Sequence, residues 1–409
     1  MTLDTTALGR RTLLAAAAAA PLLGRRAQAQ ARPIRIGVLN DQTGPYRDIG
    51  GQLSVNAVRQ AVAESTAGLQ VEVLSADHQN KPDIGVGIAR QWYDQEGVSL
   101  ILDVPTSSVA LAVNSVAKEK NRAYINTGAA TSDLTGVQCT PSTIHWSYDT
   151  YMLARSTGGA MVAAGGNSWY FLTADYVFGQ QLQRDTTKFV TEGGGKVAGA
   201  SPYPFPGTTD FSSFLLSAQG SGANVLGLAN AGADTVNSIK QAHEFGLTRN
   251  MKIAALLMYI ADVHGLGLET AQGLYLTESF YWDMNDRTRA FTKRFQTRMP
   301  GICPNMTNAA CYSGTLHFLK AVQALGGAAK ALDGAAVVAQ MKATPTDDDA
   351  YGPGTIRQDG MAMFPSYLFQ VKTPAESKYP WDYFKQVVAT PADKAWKPLA
   401  DGNCPLVRT

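Results

Sequence analysis

Apolar residues along the chain fall into short runs separated by stretches of helical period. "IRIGVLN" at 34–40 is followed by an amphipathic pattern over 51–65, and "VEVLSAD" at 71–77 by another over 82–96. "SLILDV" at 99–104 leads into a helical pattern near 108–120, and "AYINTG" at 123–128 reads as a fourth strand. Such near-continuous apolar strands are buried on both faces, so the pattern predicts an α/β fold with a parallel sheet covered by helices. The period is lost over "CTPSTIHWSYD" at 139–149 and then restarts, with strands predicted at 168–175, 195–204, 224–230 and 251–258. A further strand is predicted within 273–283, then a long helix over 307–325. "TDDDAYGPGTIRQDG", rich in turn residues, precedes the hairpin pattern "SYLFQVK". Two successive β/α blocks make two lobes. The expected division gives 30–145 and 283–343 to the N-terminal lobe and 146–282 and 344–409 to the C-terminal lobe.

The first 29 residues change this picture, because they read as an export signal rather than as structure. Arg10 and Arg11 precede "TLLAAAAAAPLL", and "AQA" at 27–29 is a small-x-small cleavage site. The paired arginines suggest the twin-arginine route, which exports folded proteins. No later run is apolar enough to span a bilayer, so the mature protein is expected to be soluble in the periplasm. The 409 residues carry a formal charge of +2, and loss of 1–29 leaves about −1. With 45% hydrophobic and 17% charged residues and no basic block, the chain is globular and has no electrostatic footprint for nucleic acid.

Motif chemistry excludes more than it selects. The turn "NDQTGPYRDIGG" lacks G-x-G-x-x-G, and Pro45 removes a backbone donor, so a phosphate cradle is not expected. No P-loop, G-x-S-x-G or H-E-x-x-H occurs. The five histidines are scattered, and neither a metal site nor a cofactor is expected. Asp41, Asp77, Asp103 and Asp175 end predicted strands, where capping of the next helix accounts for them better than acid–base catalysis. What strand ends share is small polar and aromatic chemistry. Thr106, Ser107 and Ser108 open one helix, and Gly128, Ala129, Ala130 and Thr131 follow the next strand, both suited to an anionic group. The second block offers Tyr176 and Phe178, then Asn230, Gly232 and Asp234. Trp146 and Tyr148 lie at the first crossing between blocks, and Tyr281 and Trp282 at a later one. Ligands of open α/β sheets bind beyond the strands' carboxyl ends, so these residues, with Tyr46, are the candidate cleft.

"VLNDQTGPYRDIGG", "NTGAATSDLTG", "TADYVFG" and "YGPGTIRQDG" resemble the type I periplasmic binding proteins, closest to the branched-chain amino acid (Leu/Ile/Val-binding) family that serves ABC importers. The resemblance covers nearly the whole mature chain. It implies two doubly wound lobes joined by three crossing segments, a monomer that closes on a small solute and delivers it to an inner-membrane permease, and no catalysis. By similarity, Ser107, Ser108 and the Ala129–Thr131 turn match positions that grip an amino acid's carboxylate and ammonium, and Phe178 an aromatic over the ligand. The chain departs from the family at Asp103-Val104-Pro105, where relatives have glycine-proline, and at "HWSYD", which lacks the usual arginine. Asp234 is the candidate partner for an ammonium, while the aromatic crossings suit an aromatic or apolar acid equally. The alternatives are a sensory binding protein of the same fold and an exported enzyme using Asp103 with Asp175. Export favours disulfides, and four cysteines allow three pairings. The short spacing of Cys303 and Cys311 suggests a local bridge, which leaves Cys139 with Cys404.

Overall fold

The computed structural model describes residues 33–407, so the signal-like segment 1–29 lies outside the described residues. Five parallel strands, β1 (Ile34–Asn40), β2 (Val71–Asp77), β3 (Val98–Asp103), β4 (Ala123–Asn126) and β5 (Thr143–His145), form one sheet in the order β2-β1-β3-β4-β5. Four more, β6 (Ser168–Ala174), β7 (Lys196–Tyr203), β8 (Val225–Ala229) and β9 (Lys252–Ala255), form a second parallel sheet in the order β7-β6-β8-β9. In both sheets the order reverses beside the first strand. That leaves a crevice beyond the carboxyl ends of β1 and β3 in one lobe and of β6 and β8 in the other.

The connecting helices start and stop for local reasons. Pro82 opens the helix Pro82–Asp94, where its missing N–H is not needed and Asp83 faces the positive end of the dipole. Asn121, at φ +47, ends the helix Ser107–Lys120 behind Lys118 and Lys120.

The remaining strands are antiparallel. β10 (Tyr275–Glu278), β13 (Ser366–Val371) and β14 (Phe384–Thr390) pair in the order β10-β13-β14 beside the second lobe. After β10 the chain returns to the first lobe. The helix Met306–Ala324 packs on the helix Gly51–Glu64, and the helix Gly334–Ala343 packs by β4. The small hairpin of β11 (Thr355–Ile356) and β12 (Ala362–Met363) also rests on the first lobe, since His145 N donates to Gly360 O at 2.9 Å. Gly360 sits at φ +93 with Thr143 O 2.6 Å from where a Cβ would stand, so only glycine permits this approach. The stretch 344–364, expected in the C-terminal lobe, therefore extends the first. The turn was visible in the sequence, but the strand it docks against was not.

Cys139 and Cys404 form a disulfide with a Cα–Cα distance of 5.6 Å across 265 residues, tying the tail to the first lobe. The expected Cys303–Cys311 bridge is absent, and both are buried free thiols. The cap at Asn305 starts a helix between them and sends them to different cores. Cys311 Sγ lies 3.1 Å from Thr127 Oγ1 in the first lobe, while Cys303 packs in the core of the second.

Two measurements check this pairing. Thiol titration is expected to find no reactive cysteine in the native protein and two after unfolding without reductant. Cys404→Ser is expected to lower unfolding free energy by about 2–5 kcal/mol, because it opens a very long loop.

Candidate functional site

A cavity lies where the two crevices face one another. It is lined by Tyr46 and Ile49 after β1, Pro105 after β3, Gly128 and Ala130 after β4, and Tyr148 after β5. The second lobe supplies Tyr176 and Phe178 after β6, Ala231 after β8, and Leu257 and Tyr259 after β9. Every lining residue thus follows the carboxyl end of a strand. The lobes are closed, and the free space is about 10 Å3, enough for about one water molecule.

Phenol hydroxyls meet in pairs here. Tyr46 and Tyr176 join the lobes through an OH–OH bond of 2.6 Å. Tyr259 donates to Tyr148, which donates to the Gly128 carbonyl. Burial raises all four phenols above their ordinary range, so they stay neutral donors. Phe205 stacks on Tyr176 with centroids 4.4 Å apart and on Tyr46 at 5.4 Å. Ala233 N donates to Pro45 O at 3.0 Å across the cleft. Gly232, at φ +60, makes that contact possible, since its Cβ would stand 2.5 Å from Pro45 O. The lining contains no carboxylate and no Lys, Arg or His side chain.

The opening turn is built to present Tyr46. Asp41 accepts from Gly44 N at 2.7 Å, Tyr46 N at 2.8 Å and Asn80 Nδ2 at 2.8 Å, which fixes the loop after β1. The other expected residues lie behind the wall or away from it. Thr106 donates to Asn80 and so belongs to the same support. Asp103 is buried, accepts from Asn40 Nδ2 at 3.0 Å, and lies under Gly128, whose Cβ would stand 2.7 Å from its carboxylate. Ser107 and Ser108 open the helix behind Pro105, and the buried Ser107 hydroxyl has no protein partner. Ala129 is buried beside the lining residues, and Thr131 Oγ1 accepts from Asp133 N at 3.3 Å. Asn230 is held by Ser238 and Thr235. Asp234 accepts from Tyr203 at 2.7 Å and lines an outer dent rather than the cavity.

The aromatics divide. Trp146 is in the first-lobe core, against Phe364 and His317. Tyr281 and Trp282 both donate to the Trp381 carbonyl in the second-lobe core. Sequence reasoning missed Ile49, Pro105, Ala231, Leu257 and Tyr259. Tyr259 had a usable signal, because it follows a strand and caps the next helix, as Tyr176 does.

The family model for periplasmic binding proteins matches residues 33–378. A crystal structure of a periplasmic binding protein from Burkholderia mallei is 47% identical, with a TM-score of 0.88 over 92% of this chain and 99% of that one. The chain belongs to the periplasmic binding protein family. A branched-chain amino acid ABC transporter periplasmic ligand-binding protein from Burkholderia xenovorans is 36% identical, with a TM-score of 0.78, covering 91% of this chain and 99% of that one. An ABC transporter solute-binding protein from R. palustris, in complex with benzoate, shares the fold at 19% identity, with a TM-score of 0.78 and coverage of 88% and 97%. A search of curated proteins returns no match. This periplasmic binding protein thus has the type I fold of its relatives, two parallel-sheet lobes joined by three crossings. Among the described residues no helix is long and apolar enough to cross a membrane.

Asp103 gives the cavity floor a pH dependence. Burial pushes its carboxyl up to about 6, against hydrogen bonds from Asn40 and Thr127 that favour the charged form. An unfolded Asp titrates near about 3.9, so the folded state holds this proton longer. Its stabilising contribution is complete below about pH 4 and is lost as pH rises through about 6. Relative to Asp103→Asn, the wild type is expected to lose stability between pH 4 and 7, by at most about 1.4 kcal/mol per pH unit. Melting curves across that range check this, and parallel pH profiles would show that the group does not titrate there.

Proposed function

We propose that this binding protein captures a small carboxylate whose body is aromatic or apolar, and delivers it to an ABC permease in the inner membrane. The observation that carries this reading is the lining itself: four neutral phenols among Ile49, Pro105, Phe178 and Leu257, with no charged side chain. A carboxylate accepts hydrogen bonds from phenols, and bonds to charged groups contribute about 1.5–3 kcal/mol each. An α-ammonium would need an acceptor of opposite charge, and the lining offers none. Asp234 is engaged by Tyr203, and the crossing that carries an arginine in relatives reads "HWSYD" here. Each phenol pair has one member after β6 or β9 of the second lobe and one on the loop after β1 or at the first crossing. A carboxylate inserted between the two would be held from both sides, which favours the closed state by its difference in contacts.

The protein acts, in this reading, as a periplasmic monomer without a covalent step. Asp103 is buried under Gly128, and Asp175 is exposed and holds Gln180, so they offer no acid–base pair in the cavity. A branched-chain amino acid is the second reading, favoured by the ascription of the 36% identical relative.

A thermal-shift panel of benzoate, hydroxybenzoates, short aliphatic acids, leucine and phenylalanine separates the two. At 100 times its dissociation constant, a true ligand is expected to stabilise by about 2.7 kcal/mol. Tyr176→Phe is expected to weaken an acid that binds by about tenfold, measured by calorimetry. Leucine binding more tightly than every ammonium-free acid would overturn the assignment, and chemical change of the bound acid would make the protein an enzyme.

A further inference from the structure

Away from the cavity, one hydroxyl reaches parts of the molecule that the chain keeps far apart. Tyr351 lies in the turn-rich stretch before the β11–β12 hairpin. Asp348 fixes that turn, accepting from Ala350 N at 2.8 Å, Tyr351 N at 2.9 Å and Ser313 Oγ at 2.5 Å on the helix Met306–Ala324. The Tyr351 hydroxyl donates to the Met306 carbonyl at 2.9 Å. It lies 3.0 Å from Ser279 Oγ and 3.3 Å from Ser147 Oγ. Its ring packs on Phe364 with centroids 4.5 Å apart.

Those partners are the crossings between the lobes. Ser147 lies between β5 and the second-lobe elements, Ser279 just after β10, and Phe364 just before β13. All three passages therefore touch one side chain. Ser147 also stands at φ +97, a strained conformation that L residues keep only when their surroundings hold them. The same helix start reaches the cavity, since the Asn305 and Asn308 amides donate to Ile49 O at 2.8 and 3.0 Å, and Ile49 is a wall residue.

We propose that Tyr351 is the positioning residue for lobe closure: its hydroxyl joins the crossings at Ser147 and Ser279, its ring packs on the third at Phe364, and the hydroxyl holds Ser147 in its strained form. It acts through the hinge and does not touch solute. The inference rests on the solute-binding reading only in taking the two lobes to move.

The test uses the purified mature protein with no solute, carrying spin labels on one exposed helix of each lobe. Tyr351→Phe keeps the ring on Phe364 and removes the hydroxyl. The open-to-closed ratio is expected to rise at least about fivefold over the parent. Tyr93→Phe serves as control, because Tyr93 donates to the Ala123 carbonyl wholly within the first lobe. It is expected to lower the melting temperature without moving the distance distribution. An unchanged distribution in Tyr351→Phe, or an equal shift in Tyr93→Phe, overturns the proposal. Should Tyr351→Phe not fold, Ser279→Ala removes one of the three links, and it must shift the distribution in the same direction. Because no solute enters the measurement, its failure leaves the assignment of the solute class untouched, and the converse holds as well.

Discussion

A phenol hydroxyl taken out of water must find a partner or destabilise the fold by a few kcal/mol. Four tyrosines brought to one place by strand ends meet that constraint in pairs, Tyr46 with Tyr176 and Tyr148 with Tyr259. The closed arrangement follows from it. The aromatic stack through Phe205 and the backbone bond from Ala233 to Pro45 add to a contact that the hydroxyls already define. A solute that offers better acceptors than a neighbouring phenol can take these donors over. One that offers only donors must compete with the phenols for the acceptors they already use, Tyr148 and the Gly128 carbonyl among them.

The frame of this arrangement was legible in the sequence. β1 and β2 run over the residues predicted for them; β1 is buried almost throughout, whereas β2, at the edge of the sheet, is marked by its Val-rich run between turn residues. β5 was not visible, since three residues carry no period, and β14 was not, since most of its length is exposed and mixed. Position along the chain was easier to read than direction of the side chain. Tyr176 and Phe178 follow β6 and point into the cleft, whereas Asn230, in the same place after β8, turns inward to Ser238. Aromatics at the crossings were the hardest case. Tyr148 faces the cavity and Trp146, two residues earlier, fills a core, and composition does not separate them.

Supporting groups were equally hidden. Asp41 holds Tyr46 through two backbone N–H groups, and Asp348 holds Tyr351 in the same manner. Each carboxylate fixes an aromatic three to five residues on, Asp348 through an Asx turn and Asp41 through a longer loop. In a sequence they look like any polar turn, and only the aromatic's destination gives them a role. The cleft and the hinge thus use one local device at two places, joined through the helix start at Asn305.

The bridge between Cys139 and Cys404 has a topological effect. All of the second lobe and every passage to and from it lie inside one covalent ring, while β1 to β4, the helices between them and the residues after Cys404 lie outside. A protease that nicks any exposed loop within that ring leaves two polypeptides still bonded to each other. For a molecule whose working parts are surface loops around a moving gap, one broken peptide bond does not by itself let the pieces drift apart.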